Sequence, residues 1–178
     1  TAYEIRPRDW SSDVCSSDLM SNGLTPLEHT IQLARNYLRD FPKFFQVSFD
    51  SIGRTYELGQ INVDTDTIWI ATTTGASATE LTSSQYSLDS RNGILRLGFT
   101  PASGTTIMVE GYYYEWLLPA DLQFYSERSI NFHKPTIPVP LEQASAAVLD
   151  VIGIGALVEA LQALMTEYAR DIDVMTSE

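Results

Sequence analysis

The chain has 178 residues, and its 23 acidic against 11 basic side chains give a formal net charge of −12. This balance argues against nonspecific nucleic-acid binding and against docking on anionic lipid, because both require clustered cations. The length suits one domain, and the only two histidines, His29 and His133, lie too far apart in sequence to indicate a metal site. We therefore expect neither a bound metal nor a cofactor.

We expect the first nineteen residues, TAYEIRPRDWSSDVCSSDL, to differ in origin from the rest of the chain. Codons that fit Asp9–Leu19 spell a string that resembles a common short-read sequencing adapter, and Met20, a natural start codon, follows directly. We interpret residues 1–19 as an artefactual leader that is not part of the fold. The leader holds Trp10, the single cysteine Cys15, and four acidic against two basic residues, so the net charge without it is −10.

Residues 20–43 predict an N-terminal helix. Thr25-Pro26-Leu27-Glu28 has the composition of a capping box with proline at the first helical position. Pro42 disfavours helical geometry at the preceding residue and is expected to end the helix. Apolar residues recur at helical spacing on one face: Leu27, Ile31, Ala34, Leu38 and Phe41.

Residues 44–118 predict an antiparallel β-domain. Apolar and polar residues alternate from Phe44 onward, which is the pattern of a half-buried strand. Asn92-Gly93 separates two such runs and predicts a hairpin, because both residues tolerate positive φ. Ala71–Thr79, small and polar, is expected to be a mobile loop. Several short strands joined by turns indicate a sandwich or a small barrel.

Residues 119–178 predict a C-terminal helical region. Helical spacing resumes after Pro119, and the three prolines in residues 135–140 predict an extended connector. The order of elements predicts an α+β fold, in which the β-domain is inserted between an N-terminal helix and C-terminal helices.

The last segment, Leu141–Arg170, is apolar on most of its circumference and is either one long helix or a broken pair. Such a helix must be buried on several sides, in an ordinary core or between subunits. Asp150, Glu159 and Gln162 interrupt the apolar stretch, which argues against a membrane span. Burial between subunits makes the following residues a candidate oligomer interface: Val151, Ile154, Leu157, Leu161 and Leu164.

The sequence carries no recognisable catalytic motif: no nucleophile elbow, phosphate loop, dinucleotide fingerprint or metalloprotease pattern occurs. Asp64 and Asp66 fit a turn better than a calcium loop, because the glycine and the distal glutamate of such a loop are missing. Four carboxylates could pair for glycoside hydrolysis, but nothing in the sequence brings two of them together: Glu110, Glu115, Asp121 and Glu127. We expect no enzymatic activity.

The densest aromatic run is Tyr112-Tyr113-Tyr114-Glu115-Trp116. On a strand, Tyr112, Tyr114 and Trp116 share one face. These three rings either pack against other parts of the protein or form an aromatic surface on which a sugar stacks.

Seven segments along the chain form a recognisable series: Leu38–Phe45, Tyr86–Leu95, Pro101–Ile107, Tyr112–Trp116, Asp121–Phe124, Ile154–Leu161 and Arg170–Asp173. Their order resembles that of head–tail connector (neck or adaptor) proteins of tailed bacteriophages. The resemblance implies a structural virion protein with no catalytic residues, assembled in the bacterial host cytoplasm.

The same resemblance implies a ring of identical subunits between the portal and the tail. Its partners are then further copies of the chain, the portal and tail-proximal proteins, with no membrane, and DNA enters only as passing cargo. An acidic lumen would repel DNA and let it slide. The alternative function is a carbohydrate-binding or tail-associated β-module that uses the surface aromatics Tyr112, Tyr114 and Trp116.

Overall fold

The computed structural model describes residues 23–74 and 77–176, with side chains described up to residue 169. The artefactual leader proposed at residues 1–19 lies outside the described residues. Two sets of buried residues form separate cores, one in the β-domain and one among the helices.

The α+β fold class is confirmed, with a β region between an N-terminal helix and two C-terminal helices. The helices are α1 (Pro26–Leu38), α2 (Pro119–His133) and α3 (Ala146–Thr176). The strands between α1 and α2 are β1 (Lys43–Asp50), β2 (Thr55–Glu57), β3 (Trp69–Thr74), β4 (Ser77–Glu80), β5 (Tyr86–Asp89), β6 (Ile94–Leu97) and β7 (Thr106–Tyr113).

The strands form two antiparallel sheets with the orders β1-β7-β3-β4 and β2-β6-β5. Alternate residues point inward, as in the pairs Val47↔Val109 and Ile70↔Val109 that span three neighbouring strands. Both sheets contribute to one core, which makes the β-domain a sandwich. Its buried residues are Phe45, Tyr56, Leu58, Val63, Ile70, Leu81, Leu95, Leu97, Ile107 and Val109.

The three helices pack against one another and enclose the second core. Ala34 of α1, Leu122 of α2 and Ala160 of α3 are completely buried there, with Leu117 of the linker that precedes α2. Ala34 and Ala160 are small, so α1 and α3 can approach closely. The helical core therefore uses one face of α3 and leaves another face free.

A buried ion pair joins α1 to the linker between β7 and α2. The guanidinium of Arg35 donates to the carboxylate of Asp40 and, at 2.9 Å, to the carbonyl oxygen of Leu117. The Asp40 side chain is fully buried and accepts three backbone N–H bonds of 2.8–3.3 Å, from Glu115, Trp116 and Leu117. Burial lowers the pKa of Arg35, and the negative charge of Asp40 opposes that shift.

The start of α1 is confirmed, whereas its predicted end is wrong. Thr25 and Glu28 form a reciprocal capping box, and these hydrogen bonds lower the pKa of the Glu28 carboxyl. The helix ends at Leu38 because Arg39 adopts a left-handed conformation with φ 53°, and not because of Pro42. Phe41 consequently lies outside the helix and is half exposed.

The loop predicted at Ala71–Thr79 is wrong, because most of this segment belongs to strands β3 and β4. Their pairing places Thr72 opposite Thr79, and the β-branched threonines suit a pleated surface. The hairpin predicted at Asn92-Gly93 is confirmed between β5 and β6, with Gly93 at φ 64°.

The segment predicted as one helix or a broken pair, Leu141–Arg170, contains a single uninterrupted helix, α3. A short 3₁₀ turn at Lys134–Thr136 overlaps the start of the proline-rich connector, and a second at Leu141–Gln143 follows it. Helix α3 begins at Ala146 rather than at Leu141. The helix continues without a break through Gly153 and Gly155. These glycines leave room for neighbouring side chains, since a Cβ at Gly153 would lie 2.3 Å from Leu33 Cδ2.

We predict that Gly155→Ala destabilises the protein by about 1–2 kcal/mol, although alanine normally favours a helix over glycine. The new Cβ would lie 2.5 Å from the hydroxyl of Ser129, which is buried and donates to the carbonyl oxygen of Ile152 at 2.6 Å. Gly153→Ala is the matched control, because the flexible end of Leu33 can move aside at lower cost. Urea unfolding measures the loss of unfolding free energy in each variant, which should be larger for Gly155→Ala. An equal or smaller loss for Gly155→Ala would contradict the prediction.

Candidate assembly surface

Helix α3 has a second apolar face that no described part of the chain covers. Six of its large apolar residues are between 42% and 71% exposed, and each follows the previous one by three or four positions in alternation. This is the spacing with which one helix packs along another at a shallow angle. We call these six residues the α3 stripe: Val151, Ile154, Val158, Leu161, Met165 and Tyr168.

The structure divides the predicted oligomer-interface residues between two faces. Val151, Ile154 and Leu161 lie on the α3 stripe, whereas Leu157 and Leu164 pack against the helical core. Sequence reasoning missed Val158, Met165 and Tyr168 as exposed residues. The alternating three-and-four spacing was the signal that would have selected them.

The borders of the α3 stripe are uncharged over most of its length. The residues beside it include Gly155, Gln162 and Ala169, and the segment 151–169 contains no lysine or arginine. Its two acids lie elsewhere on the helix, and Glu159 pairs with Arg128 of α2 at 3.2 Å. A neighbouring helix can therefore pack along the stripe without burying an unpaired charge.

The exposed area of the stripe is large for a surface with no partner. Six side chains at these exposures present on the order of 600 Å² of apolar surface, beyond what scattered surface residues contribute. Burying that area would stabilise an interface. The area approaches the roughly 800 Å² per partner of a standard protein–protein contact.

By length and composition alone, the span Ala146–Ala169 of α3 is also apolar enough to cross a membrane. Its opposite face, however, is built into the helical core through the buried residues Ile152, Ala156 and Ala160. His29 of α1 further contacts Asp150 near the start of the helix, with Nε2 and Oδ1 3.0 Å apart. These contacts favour a protein partner over lipid for the exposed stripe.

The three predicted surface aromatics do not share one accessible surface. Tyr112 is 39% exposed and makes an edge-to-face contact with Phe44, with ring centroids 5.6 Å apart. Tyr114 lies under the guanidinium of Arg35, which is 3.8 Å from the ring centroid. Burial raises the pKa of Tyr114, and the charge of Arg35 opposes this shift.

Trp116 packs against the helical core, and its ring centroid is 6.3 Å from that of Tyr168 on α3. Of the three rings, Tyr112 is therefore the one with the most open surroundings. The contacts of Tyr114 and Trp116 follow from their position in the linker that leads from β7 to the helices.

The carboxylates considered for hydrolysis each bond to a separate polar partner. Their contacts are Glu110 with Gln46 at 2.6 Å, Glu115 with Lys43 at 2.5 Å, Asp121 with Arg91 at 2.9 Å, and Glu127 with Gln123 at 2.7 Å. Asp64 accepts the backbone N–H of Asp66 at 3.1 Å, which confirms the turn. Among residues 23–74 and 77–169, no three histidine, cysteine or acidic side chains are grouped to hold a metal ion.

Comparison with known proteins does not supply a family. No protein-family model matches the chain, and no curated protein matches it.

Proposed function

We propose that this chain is a structural subunit of a head–tail connector ring, joining portal to tail in a tailed bacteriophage. The observation that carries the proposal is the α3 stripe, an exposed row of apolar side chains at helix-packing spacing on a helix whose other face is already buried. A subunit with this surface acts by assembling with other proteins.

The order of sequence segments supports the choice of connector among structural proteins. The role requires no catalytic residue, metal or cofactor, and it places the protein in the virion after assembly in the bacterial host cytoplasm. The net charge of −10 without residues 1–19 supports a passage for DNA, because an acidic wall does not retain phosphate and lets the genome slide. Its partners are further copies of the chain, the portal and tail-proximal proteins.

We expect the unaltered protein to form an oligomer in solution, and the double variant Val158→Glu/Leu161→Glu to be a monomer. Two carboxylates within the stripe would lose their hydration on association, which raises the dissociation constant by about a hundredfold or more. Both residues are more than 40% exposed in the subunit, so the variant is expected to fold. Size-exclusion chromatography with light scattering measures the mass, and electron microscopy shows whether the oligomer is a ring.

Thr166→Glu is the matched control, because it adds the same charge to an exposed position of α3 away from the stripe. It should assemble as the unaltered protein does. A protein that is monomeric at every concentration and does not bind a portal ring would contradict the proposal. Insertion of the chain into lipid vesicles would contradict it as well, and would assign the stripe to a membrane.

A further inference from the structure

We propose that Asn92 is a site of spontaneous deamidation that the folded hairpin keeps unreactive, and that Asp89 is the residue that holds it. The inference concerns the hairpin between β5 and β6 and does not depend on the proposed assembly. Asparagine followed by glycine is especially reactive, because glycine has no side chain to obstruct attack on the asparagine amide. The chain contains this dipeptide at Asn22-Gly23, outside the described residues, and at Asn92-Gly93 in the hairpin.

The reaction consumes water and releases ammonia. The backbone nitrogen of Gly93 loses its proton and attacks Cγ of Asn92, which forms a carbon–nitrogen bond and a five-membered succinimide ring. The bond from Cγ to Nδ2 breaks, and Nδ2 takes up a proton and leaves as ammonia. Water then opens the ring at either of its carbonyl groups and leaves aspartate or isoaspartate at position 92.

The side chain of Asn92 is exposed, so water and hydroxide reach it, but one carboxylate holds it in place. Nδ2 of Asn92 donates to Oδ2 of Asp89 at 2.9 Å, and the backbone N–H of Asn92 donates to Oδ1 at 3.2 Å. Asp89 thus binds the amide and the backbone of Asn92 together, which is a common way to fix a turn. Ring closure requires Cγ to rotate onto the Gly93 nitrogen, and that rotation breaks the bond from Nδ2 to Asp89.

The backbone on both sides of Asn92 is held as well. The carbonyl oxygen of Arg91 accepts the N–H of Asn62 at 3.3 Å. The carbonyl oxygen of Gly93, which is buried, accepts the N–H of Leu58 at 2.8 Å. The peptide plane between residues 92 and 93 therefore cannot turn toward the side chain unless the turn separates from residues 58–63.

The charge of Asp89 adds to the protection. The side-chain and backbone hydrogen bonds from Asn92 lower the pKa of the Asp89 carboxyl, so that this group is charged at neutral pH. A negative charge beside the turn disfavours removal of the Gly93 amide proton and repels hydroxide. The folded hairpin consequently slows the reaction by its geometry and by its charge.

The products do not fit the hairpin as asparagine does. Aspartate at position 92 would place a carboxylate oxygen where Nδ2 now donates to Asp89, so two negative oxygens would face each other. Isoaspartate adds one main-chain atom to a turn whose carbonyl groups are matched to residues 58–63. Deamidation during a transient opening is therefore irreversible and weakens the hairpin that closes afterwards.

Mass spectrometry of peptides from the unaltered protein and from Asp89→Ala measures the reaction, at mildly alkaline pH, in buffer and in urea. In urea, both proteins should deamidate at Asn92 at the same rate. In buffer, the unaltered protein should react about tenfold more slowly than in urea, or slower still, because only the opened hairpin reacts. Folded Asp89→Ala should react at a rate between these two. Peptide mapping separates Asn92 from Asn22, and exposed Asn131, which precedes the bulky Phe132, should stay intact over the same period.

Asp66→Ala is the control, because it removes an exposed aspartate outside the hairpin, and its Asn92 should react as slowly as in the unaltered protein. Circular dichroism shows whether each variant is folded. Asp89→Asn keeps an acceptor oxygen but loses the charge, so it should fold and still react faster than the unaltered protein. An unaltered protein that deamidates as fast in buffer as in urea would show that the hairpin does not protect Asn92. Folded Asp89 variants that react no faster than the unaltered protein would show that Asp89 is not the residue that holds it.

Discussion

Asp40→Ala is expected to lower the free energy of unfolding by about 3–5 kcal/mol, the range for removing one partner of a buried ion pair. The substitution leaves the Arg35 guanidinium without its counter-charge. It also leaves three backbone N–H groups of residues 115–117 without their acceptor. These groups hold the linker that leads from the last strand into α2, so the loss affects the junction between the β-domain and the helices.

The measurement is urea denaturation, made in the Val158→Glu/Leu161→Glu background so that dissociation of an oligomer does not contribute to the result. Asp40→Asn should cost less than Asp40→Ala, because the amide oxygen still accepts a hydrogen bond. Asp66→Ala, at an exposed aspartate, should change the stability by less than about 0.5 kcal/mol. Equal losses at Asp40 and Asp66 would show that the buried pair is not what fixes the linker.

The local features of the fold could be predicted because their causes lie within a few residues. Thr25 and Glu28 form the capping box within one helical turn, and Gly93 supplies the positive φ that its hairpin needs. The loop predicted at Ala71–Thr79 was wrong because the prediction used only the local composition. Small polar residues suggested a loop, whereas the pairing of β3 with β4 and β7 determined the structure.

The Asp40 junction could not be predicted, because its partners are remote in sequence. Asp40 bonds to residues that lie 75–77 positions further along the chain, and no spacing rule connects them. Its burial follows from the close packing of α1 against the linker. A charged residue two positions before a proline gives no sign of this in the sequence.

The candidate assembly surface was partly predictable. The composition of α3 showed that the helix must be buried on several sides, and Val151, Ile154 and Leu161, which the sequence selected, lie on the exposed α3 stripe. Which apolar residues face the chain's own core depends on where α1 and α2 pack. That packing buries Leu157 and Leu164 and leaves Met165 and Tyr168 exposed.

Gly93→Ala is expected to destabilise the protein by about 2–4 kcal/mol, more than backbone strain alone would cost. Gly93 has φ 64°, where a side chain costs about 1 kcal/mol or more. Its Cβ would in addition lie 1.7 Å from the carbonyl oxygen of Gln60, a backbone atom that cannot rotate away. Relief requires movement of the segment at residues 58–63, and that segment is bonded to the same hairpin through Leu58 and Val63.

Gly104→Ala separates the backbone strain from the clash with Gln60. Gly104 has φ 80°, and a Cβ there meets nothing within 4 Å, so this variant carries the backbone strain without the clash. Thermal and urea unfolding of both variants should show that Gly93→Ala lowers the free energy of unfolding more than Gly104→Ala does. Equal losses would mean that the Gln60 segment moves aside at little cost. The hydrogen bonds from Leu58 and Val63 to the hairpin, both 2.8 Å, would then contribute little to holding the second sheet against residues 58–63.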